Sequence, residues 1–594
     1  MIKGTGSKAL LKPDGELQSV REKHDAILCT RLDRIERQLP PSKVAMERAE
    51  SALSGTILLA NKSRVPVGEG IHWRTTFPIN DDTSRLYLHS LLYVSELLYA
   101  YRSTKNDRFL TKVLDILRSW LDFYQDQDNR RYLESLKSAD HSTCMRTHVL
   151  IDVIQVDIES RILDRDLAAR VVTALYHHAL WLEDDSYYGR YNHGVMMDIA
   201  LLMASLQFSA VEPSRRWRQK ATSRLADTLK VAFTEEGINV ENTPGYHNFN
   251  IKLYESALDL LDHYGISSPY TEMARPIMAK ANLALRHMVR QDGVILPIGD
   301  SSFIRHPTVE PINEPISYPG SGYAFIKDKD LYLSLKCGFS GLNHKHVDDS
   351  SITLTYNGWE VLVDGGSYTY DLENEYRRYL ESCLGHSGFF FEQLVGHLAK
   401  DLRSKYLFDR AGVTRLVEDE GTVSVGCEYL ALRRIQARRN VHVLLPNVII
   451  IIDRATSRFR GARMLQNYLF SPRVEAYRKD EGTLELRQGK CSGVLRQHLP
   501  TDRLSLAKGE TSPVMGWYSP YYMDKTPAYC AQWHKRRKQV GFVTSLLLRT
   551  GAEGEWTDLE VEISEDLQEV SVTPRREGTR PVRRFALPVL TRAP

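Results

Sequence analysis

From Leu86 to Tyr101 (LYLHSLLYVSELLYAY) apolar side chains return every three or four residues, after a capping candidate at Asp82-Thr83. Phe109 to Tyr124 repeats the period, with apolar residues at 109, 110, 113, 114, 117, 120 and 121. Stripes of this kind predict two-faced helices packed on a core. The same texture predicts helices over about 145–160, 166–183, 195–209, 215–232, 248–263 and 271–290, joined by short polar connections. Serial helical hairpins without a strict sequence repeat suggest an α/α toroid or a helical bundle.

Near residue 292 the pattern changes. Gly, Pro and Asp cluster in QDGVILPIGDSS and HPTVEPINEPISYPGSG, and short alternating runs such as LYLSLKC and SITLTYNGWEVLVDGG follow. Ile352, Leu354 and Tyr356 alternate with threonines, and Asn357-Gly358 is a strong two-residue hairpin turn. The run Val448 to Ile452 before Asp453-Arg454 reads as a strand buried on both faces. The expected organisation is a helical extension over 1–65, a helical domain over 66–310 and an antiparallel β domain over 316–594.

Composition narrows the classes. At 594 residues the chain exceeds one ordinary core. With 78 Lys+Arg against 75 Asp+Glu the net charge is +3, which argues against nucleic acid or a membrane as partner, so any polyanion must be held by local basic residues. The runs His534 to Lys538 and Arg575-Arg576 read as solvated faces. Seven cysteines, an odd number with no CxxC pair, read as free buried thiols. The N-terminal segment MIKGTGSKALLKPDGELQ lacks the apolar core of a leader, and no run approaches the roughly 18 apolar residues of a membrane span. The sequence as it stands reads as cytoplasmic, or as periplasmic or secreted if a leader has been removed. A homo-oligomer is compatible with it.

Four segments place residues of catalytic type inside otherwise structural patterns: Tyr191-Asn192-His193-Gly194, Glu241 to His247 (ENTPGYH), Asn343 to Asp349 (NHKHVDD) and Val363 to Gly366 (VDGG). Singly each has a plain explanation. Asn192 with Gly194 suits a helix cap, Tyr246 a loop aromatic packed on the core, His344 and His346 the solvent face of a hairpin, and Asp364 a turn. Their co-occurrence across a helical-to-β transition favours a site.

In these segments, and from about residue 66 into the β domain, the chain resembles the heparinase II/III family of polysaccharide lyases. The family pattern NHG before a helix stands here as Asn192-His193-Gly194, its E-x-(S/T)-P-G-Y-H loop as Glu241 to His247, and its H-x-H-x-D and V-D-x-G segments as His344, His346, Asp348 and Asp364. LPIGDS, ending at Asp300-Ser301, resembles the family's domain junction. The resemblance implies an α+β multidomain fold, an N-terminal incomplete (α/α) toroid followed by a C-terminal antiparallel β-sandwich. It also implies cleavage of 4-linked uronate glycans (glycosaminoglycan, alginate or bacterial exopolysaccharide) by β-elimination.

That reaction removes a C5 proton α to a carboxylate, which requires the carboxylate to be neutralised, a base for the proton and an acid for the departing O4. Carried over from the family, Asn192 neutralises the carboxylate with His193 beside it. Tyr246, its pKa lowered by neighbouring cations, is base and acid, and His344 is a second base or stabiliser. Arg74, His141, Arg146, Glu241 and His247 are the substrate-binding candidates. His346, Asp364 and His386 are spaced like a family metal site, so a structural Zn²⁺ or other divalent cation is expected, although the family's His-Asn-Thr stands here as His386-Ser387-Gly388. No organic cofactor is expected, and the partner is an anionic polysaccharide or oligosaccharide. The rivals are a glycoside hydrolase on the same toroid, which would need a carboxylate pair drawn from Asp198, Glu241 and Asp300, and a non-catalytic glycan-binding or assembly protein.

Overall fold

The computed structural model describes residues 14–587 apart from 36–38, 40, 68–69, 79–80, 190, 400–410, 432–434, 458–462, 537–538 and 577. The first thirteen residues of the expected N-terminal extension and the basic pair Arg537-Lys538 lie outside the described residues. The chain forms two compact units, one of residues 1–232 and 252–276, the other of 233–251 and 277–594.

The first unit is helical. Its periodic stretches fold as Asp81–Ser90, Leu92–Thr104, Asp107–Gln125, Ala139–Ser160, Arg165–Glu183, Asn192–Gln207 and Pro213–Ala232. The single helix expected over 86–101 is broken at Leu91, which is buried with φ of 59°. Asp107–Gln125 shows why the period reads so clearly: Phe109, Val113, Ile116, Leu117, Trp120 and Leu121 face inward, and Asn106 caps the helix by accepting the Arg108 amide. Asn192–Gln207 has little polar surface and is buried nearly throughout, packing against Ala139–Ser160 and Pro213–Ala232. A two-stranded pair, Thr56–Leu58 with Arg64–Pro66, interrupts the helices.

The second unit is antiparallel β. Ile316–Tyr318, Tyr323–Lys327, Leu331–Lys336, Ser351–Tyr356 and Trp359–Leu362 form a five-stranded meander in chain order. At its last turn Asn357 and Gly358 both take positive φ, as the sequence requires of this hairpin. A nine-stranded sheet is centred on Ile435–Leu444, Val448–Ser457 and Gln539–Arg549, and a four-stranded sheet joins Phe389–Phe391, Arg463–Leu469, Tyr529–Arg536 and Arg503–Lys508. One apolar core is common to these three sheets, with Leu333, Leu354, Trp359, Phe390, Ile449, Ile451, Trp533 and Phe542 all buried in it. Ile450 and Ile452 point to the other face of their strand, into a second cluster with Trp556 and Val572, so the isoleucine run is buried on both sides. The helix Glu375–Glu381, which no sequence pattern announced, interrupts the β region.

Candidate active site

In the helical unit, Asn192 opens the helix Asn192–Gln207 and is buried, while the cap is Tyr191, held at φ 58°. Gly194 is there because of close packing: a Cβ on it would lie 2.5 Å from the Gly189 carbonyl oxygen and 2.8 Å from the Tyr188 ring. His193 Nδ1 is 2.5 Å from Asp140 Oδ2, and the His141 ring meets the His193 ring edge-on at 4.0 Å. Burial works against ionising Asp140, but hydrogen bonds from His141 and His193 outweigh it and hold the carboxyl well below the usual range.

Two other candidates of this unit have different surroundings. Arg74 is exposed, donates to Asn129 Oδ1 at 2.9 Å and lies over the Tyr132 ring. Arg146 is buried at 2% exposure and donates to the His89 carbonyl, Thr143 Oγ1 and His178 Nε2. Burial lowers its pKa to about 10. These contacts hold Arg146 among the helices of this unit, on the wall of a cavity it shares with His177 and Trp181.

In the β unit, three chain segments are tied together around Tyr246. Asn242, at φ 63°, donates through Nδ2 to the carbonyls of Gly341 and Asn343 at 2.8 and 2.9 Å. The Gly245 amide donates to Ser301 Oγ at 2.7 Å, an approach only a glycine allows, since a Cβ there would come within 2.8 Å of that oxygen. Half-buried Tyr246 stacks on His344, with ring centroids 3.7 Å apart and planes at 21°, and its hydroxyl is 3.1 Å from that of Tyr370. His344 and His346 do not lie on a strand. They belong to a loop in which His344 has φ 55°; the His344 ring lies against Tyr246 and the His346 ring is fully buried. Lys345 between them is buried and paired with Asp348 and Asp349, which anchors the loop.

Asp300 is the hub of this arrangement. Its Oδ2 accepts from His344 Nδ1 at 2.8 Å and its Oδ1 from His346 Nε2 at 3.0 Å, and Arg377 reaches both oxygens. Although burial opposes ionisation, the Arg377 charge, the His346 ring and the hydrogen bonds from His344 and His346 hold its carboxyl well below the usual range. An ionised carboxylate only accepts, so His344 carries its proton on Nδ1 toward Asp300 and leaves Nε2 for other chemistry.

The expectation that cations lower the Tyr246 pKa is overturned. Burial, followed by Tyr370, Asp300 and Glu241, raises it, so the phenol is held protonated in the free protein. It is an acid at rest. Glu241 is buried and accepts from Asn250 Nδ2 at 3.0 Å, bracing the turn before Tyr246. His247 is also buried: its Nδ1 accepts the Asn239 amide and its Nε2 faces the Ala281 carbonyl at 2.9 Å. Glu241 thus braces the turn before the helix Pro244–His263, and His247 fastens the first turn of that helix.

His346, Asp364 and His386 come together as the family resemblance implied. All three are buried, and one ligand atom from each lies within 4.8 Å of the others. His346 Nδ1 and His386 Nε2 have no hydrogen-bond partner among the described residues. Two orphaned buried ring nitrogens beside a carboxylate are costly in themselves and fit a divalent cation. His346 Nε2 faces Asp300 at 3.0 Å, which is how an outer carboxylate orients a histidine ligand, and His386 Nδ1 is 2.8 Å from Asp364 itself, whose other oxygen accepts the Gly299 and Gly366 amides. In the segment His386-Ser387-Gly388, a Cβ on Gly388 would fall 2.2 Å from the Phe390 ring, so a threonine at that place would not fit this packing.

Asp140, Arg377 and Tyr370 were not singled out from the sequence, and Asp300 entered only as part of a junction motif and as a candidate hydrolase acid. The available signal was adjacency in the first case alone, Asp140 preceding His141.

The profile described as Heparinase II/III N-terminus matches residues 20–297, and that described as Heparinase II/III-like, C-terminal matches residues 311–547. A heparin-sulfate lyase of Bacteroides stercoris is 19% identical over 496 residues, covering 74% of this chain and 72% of its own. Another, of Pedobacter heparinus, is 21% identical over 361 residues, 52% of this chain and 53% of its own. Among solved structures, heparinase III superposes with a TM-score of 0.75 at 13% identity over 97% of this chain and 98% of its own. A mutant of the heparan sulfate lyase HepC from Pedobacter heparinus gives 0.69 at 16% identity over 96% and 93%. The fold is accordingly the incomplete (α/α) toroid followed by the antiparallel β-sandwich.

Proposed function

Because the chain belongs to the heparinase II/III family of polysaccharide lyases, we propose that it cleaves a glycosaminoglycan at a 4-linked uronate by β-elimination, with Tyr246 as the acid. The observation that carries this reading is the Tyr246 ring stacked on a His344 ring whose Nδ1 is engaged by Asp300, in surroundings whose burial raises the phenol pKa. Breaking the C5–H bond leaves its electron pair to form the C4–C5 double bond. The C4–O4 bond breaks as that double bond forms, its electron pair leaving on O4, and the tyrosine proton goes to O4. Where C5–H and O4 lie on opposite faces of the sugar, His344 Nε2 takes the C5 proton. Where they share a face, Tyr246 serves both steps: it must first lose its phenolic proton, for which His344 Nε2 is the available base, then take the C5 proton as tyrosinate and return it to O4. Asn192, with His193 beside it in sequence, takes the part of carboxylate neutraliser that these positions hold in the family.

Heparan sulphate is the preferred glycosaminoglycan, because the two relatives above are heparin-sulfate lyases. A divalent cation, Zn²⁺ by ligand chemistry, would be held by His346, Asp364 and His386 and would stiffen the loop that carries His344. The hydrolase reading loses ground on its own residues. Asp198 is fully buried and accepts from Tyr188, Asp300 is committed to two histidines and an arginine, and Glu241 is buried in its loop. The test is to incubate the protein with heparan sulphate, chondroitin, hyaluronan and alginate and to follow the ultraviolet absorbance of the conjugated C4–C5 double bond. Product from heparan sulphate is expected. New reducing ends without that absorbance would overturn elimination, and product from alginate alone would overturn the substrate class.

A further inference from the structure

The site as read so far leaves Asp140 without a part. We propose that Asp140 is a positioning residue that holds the Nδ1–H of His193 and thereby fixes its tautomer, directing Nε2 toward the substrate. The proposal rests on the lyase reading of His193.

Several independent contacts converge on this one ring. The Nδ1 to Oδ2 distance is 2.5 Å, and Asp140 Oδ1 is separately engaged by the His141 amide at 2.8 Å, so the carboxylate is held on both sides. Asp140 stands in the first turn of Ala139–Ser160, where the helix dipole favours a negative charge. Its carboxyl is held well below the usual range, and an ionised carboxylate has no proton to donate. The shared proton therefore belongs to Nδ1, whereas a free neutral imidazole favours protonation at Nε2.

The surroundings limit other poses of the ring. His141 abuts it edge-on at 4.0 Å. Behind it, a Cβ on Gly189 would lie 2.8 Å from His193 Cβ and 3.3 Å from Asp140 Oδ2, so the absence of a side chain at 189 is what lets the pair close. Asp140, His141 and His193 also bring ligand atoms within 4.8 Å of one another. A 2.5 Å separation is nevertheless that of a hydrogen bond, because two ligands each about 2.0–2.2 Å from one tetrahedral ion stand farther apart. With Nδ1 committed, Nε2 is the nitrogen left to meet the sugar, and its position follows from that of the carboxylate.

The experiment uses the full chain labelled with ¹⁵N-histidine, with the His193 signals assigned by their loss in H193Q. Wild type should show a protonated Nδ1 at His193, and D140N should shift the ring toward the Nε2–H form. D140E, which keeps the charge on a longer arm, should retain the wild-type tautomer at least in part, and it carries the test if D140N does not fold. An unchanged His193 tautomer in a folded D140N protein would overturn the proposal whatever the activity. In turnover, D140N should lower kcat by about 10–100-fold, the range for outer partners of functional histidines. The double variant D140N/H193A should be no slower than H193A, because a residue that acts through another has nothing left to position. Losses that multiply in the double variant would also overturn it. Failure of the lyase reading is distinguishable, since wild type would then give no unsaturated product while the tautomer result stood unaffected.

Discussion

Replacing Asp300 with Asn changes one oxygen to a nitrogen and removes one charge from the centre of the β unit's site. In the wild type, His344 at 2.8 Å, His346 at 3.0 Å and both terminal nitrogens of Arg377 all donate to this carboxylate. An amide has one accepting oxygen and two donor hydrogens, so at least one donor loses its acceptor and faces another N–H. Removing one partner of a buried ion pair costs about 3–5 kcal/mol, and the lower end applies here because Arg377 Nε remains 3.1 Å from Glu381. For a unit of this size, about 3 kcal/mol corresponds to a fall of roughly 4 °C in Tm. Differential scanning calorimetry at neutral pH measures it directly. The sign of the pH dependence is also determined. The Asp300 pKa is depressed in the folded state, so its contribution is complete above the unfolded-state value of about 3.9 and is lost as pH falls through the folded value. The gap between wild type and D300N should therefore narrow in acid. A Tm within about 1 °C of wild type at neutral pH, or a gap that widens as pH falls, would refute the role given to Asp300.

Three further outcomes follow from the geometry. Gly194→Ala should cost about 1–3 kcal/mol through overpacking against the Gly189 carbonyl and Tyr188, and should slow turnover by displacing Asn192; wild-type Tm and rate together would contradict this. Arg439→Ala leaves the fully buried Asp453 carboxylate without its bidentate partner and takes a donor from the Ser350 and Ser387 carbonyls, so a loss of about 3–5 kcal/mol is expected in urea unfolding. After equilibration with zinc and dialysis, elemental analysis should find about one ion per wild-type chain and close to none in His386→Ala, whereas equal content would remove His386 from the metal site.

The helices were legible because their stripes are long, and Asn357-Gly358 because a two-residue turn of that type requires positive φ at both positions. The break at Leu91 was hidden, since a buried leucine in a left-handed conformation looks like any other apolar position in the stripe. The family resemblance implied His346, Asp364 and His386 as a set, and they do cluster. Spacing misrepresented His344 and His346, which lie in a loop bent at His344 and not on a strand, and which both reach the buried Asp300 carboxylate instead of a solvent face. Asp300 and Arg377 were hidden for another reason. Their contacts span 44 to 77 residues of sequence, and a lone Asp or Arg in a loop or short helix carries no periodic signal. The direction of the Tyr246 pKa was misjudged because the sequence shows a histidine nearby but neither the burial of the phenol nor the acidic neighbours that outweigh it.

The central claim is that the Tyr246 hydroxyl supplies the proton to the departing O4. Tyr246→Phe removes that hydroxyl and its contact with Tyr370 while keeping the ring stacked on His344. On heparan sulphate, the initial rate of formation of the unsaturated uronate should fall by at least about 10²–10⁴-fold, with glycan binding and Tm close to wild type. A Tyr246→Phe protein that forms the unsaturated product at an ordinary rate would contradict the account.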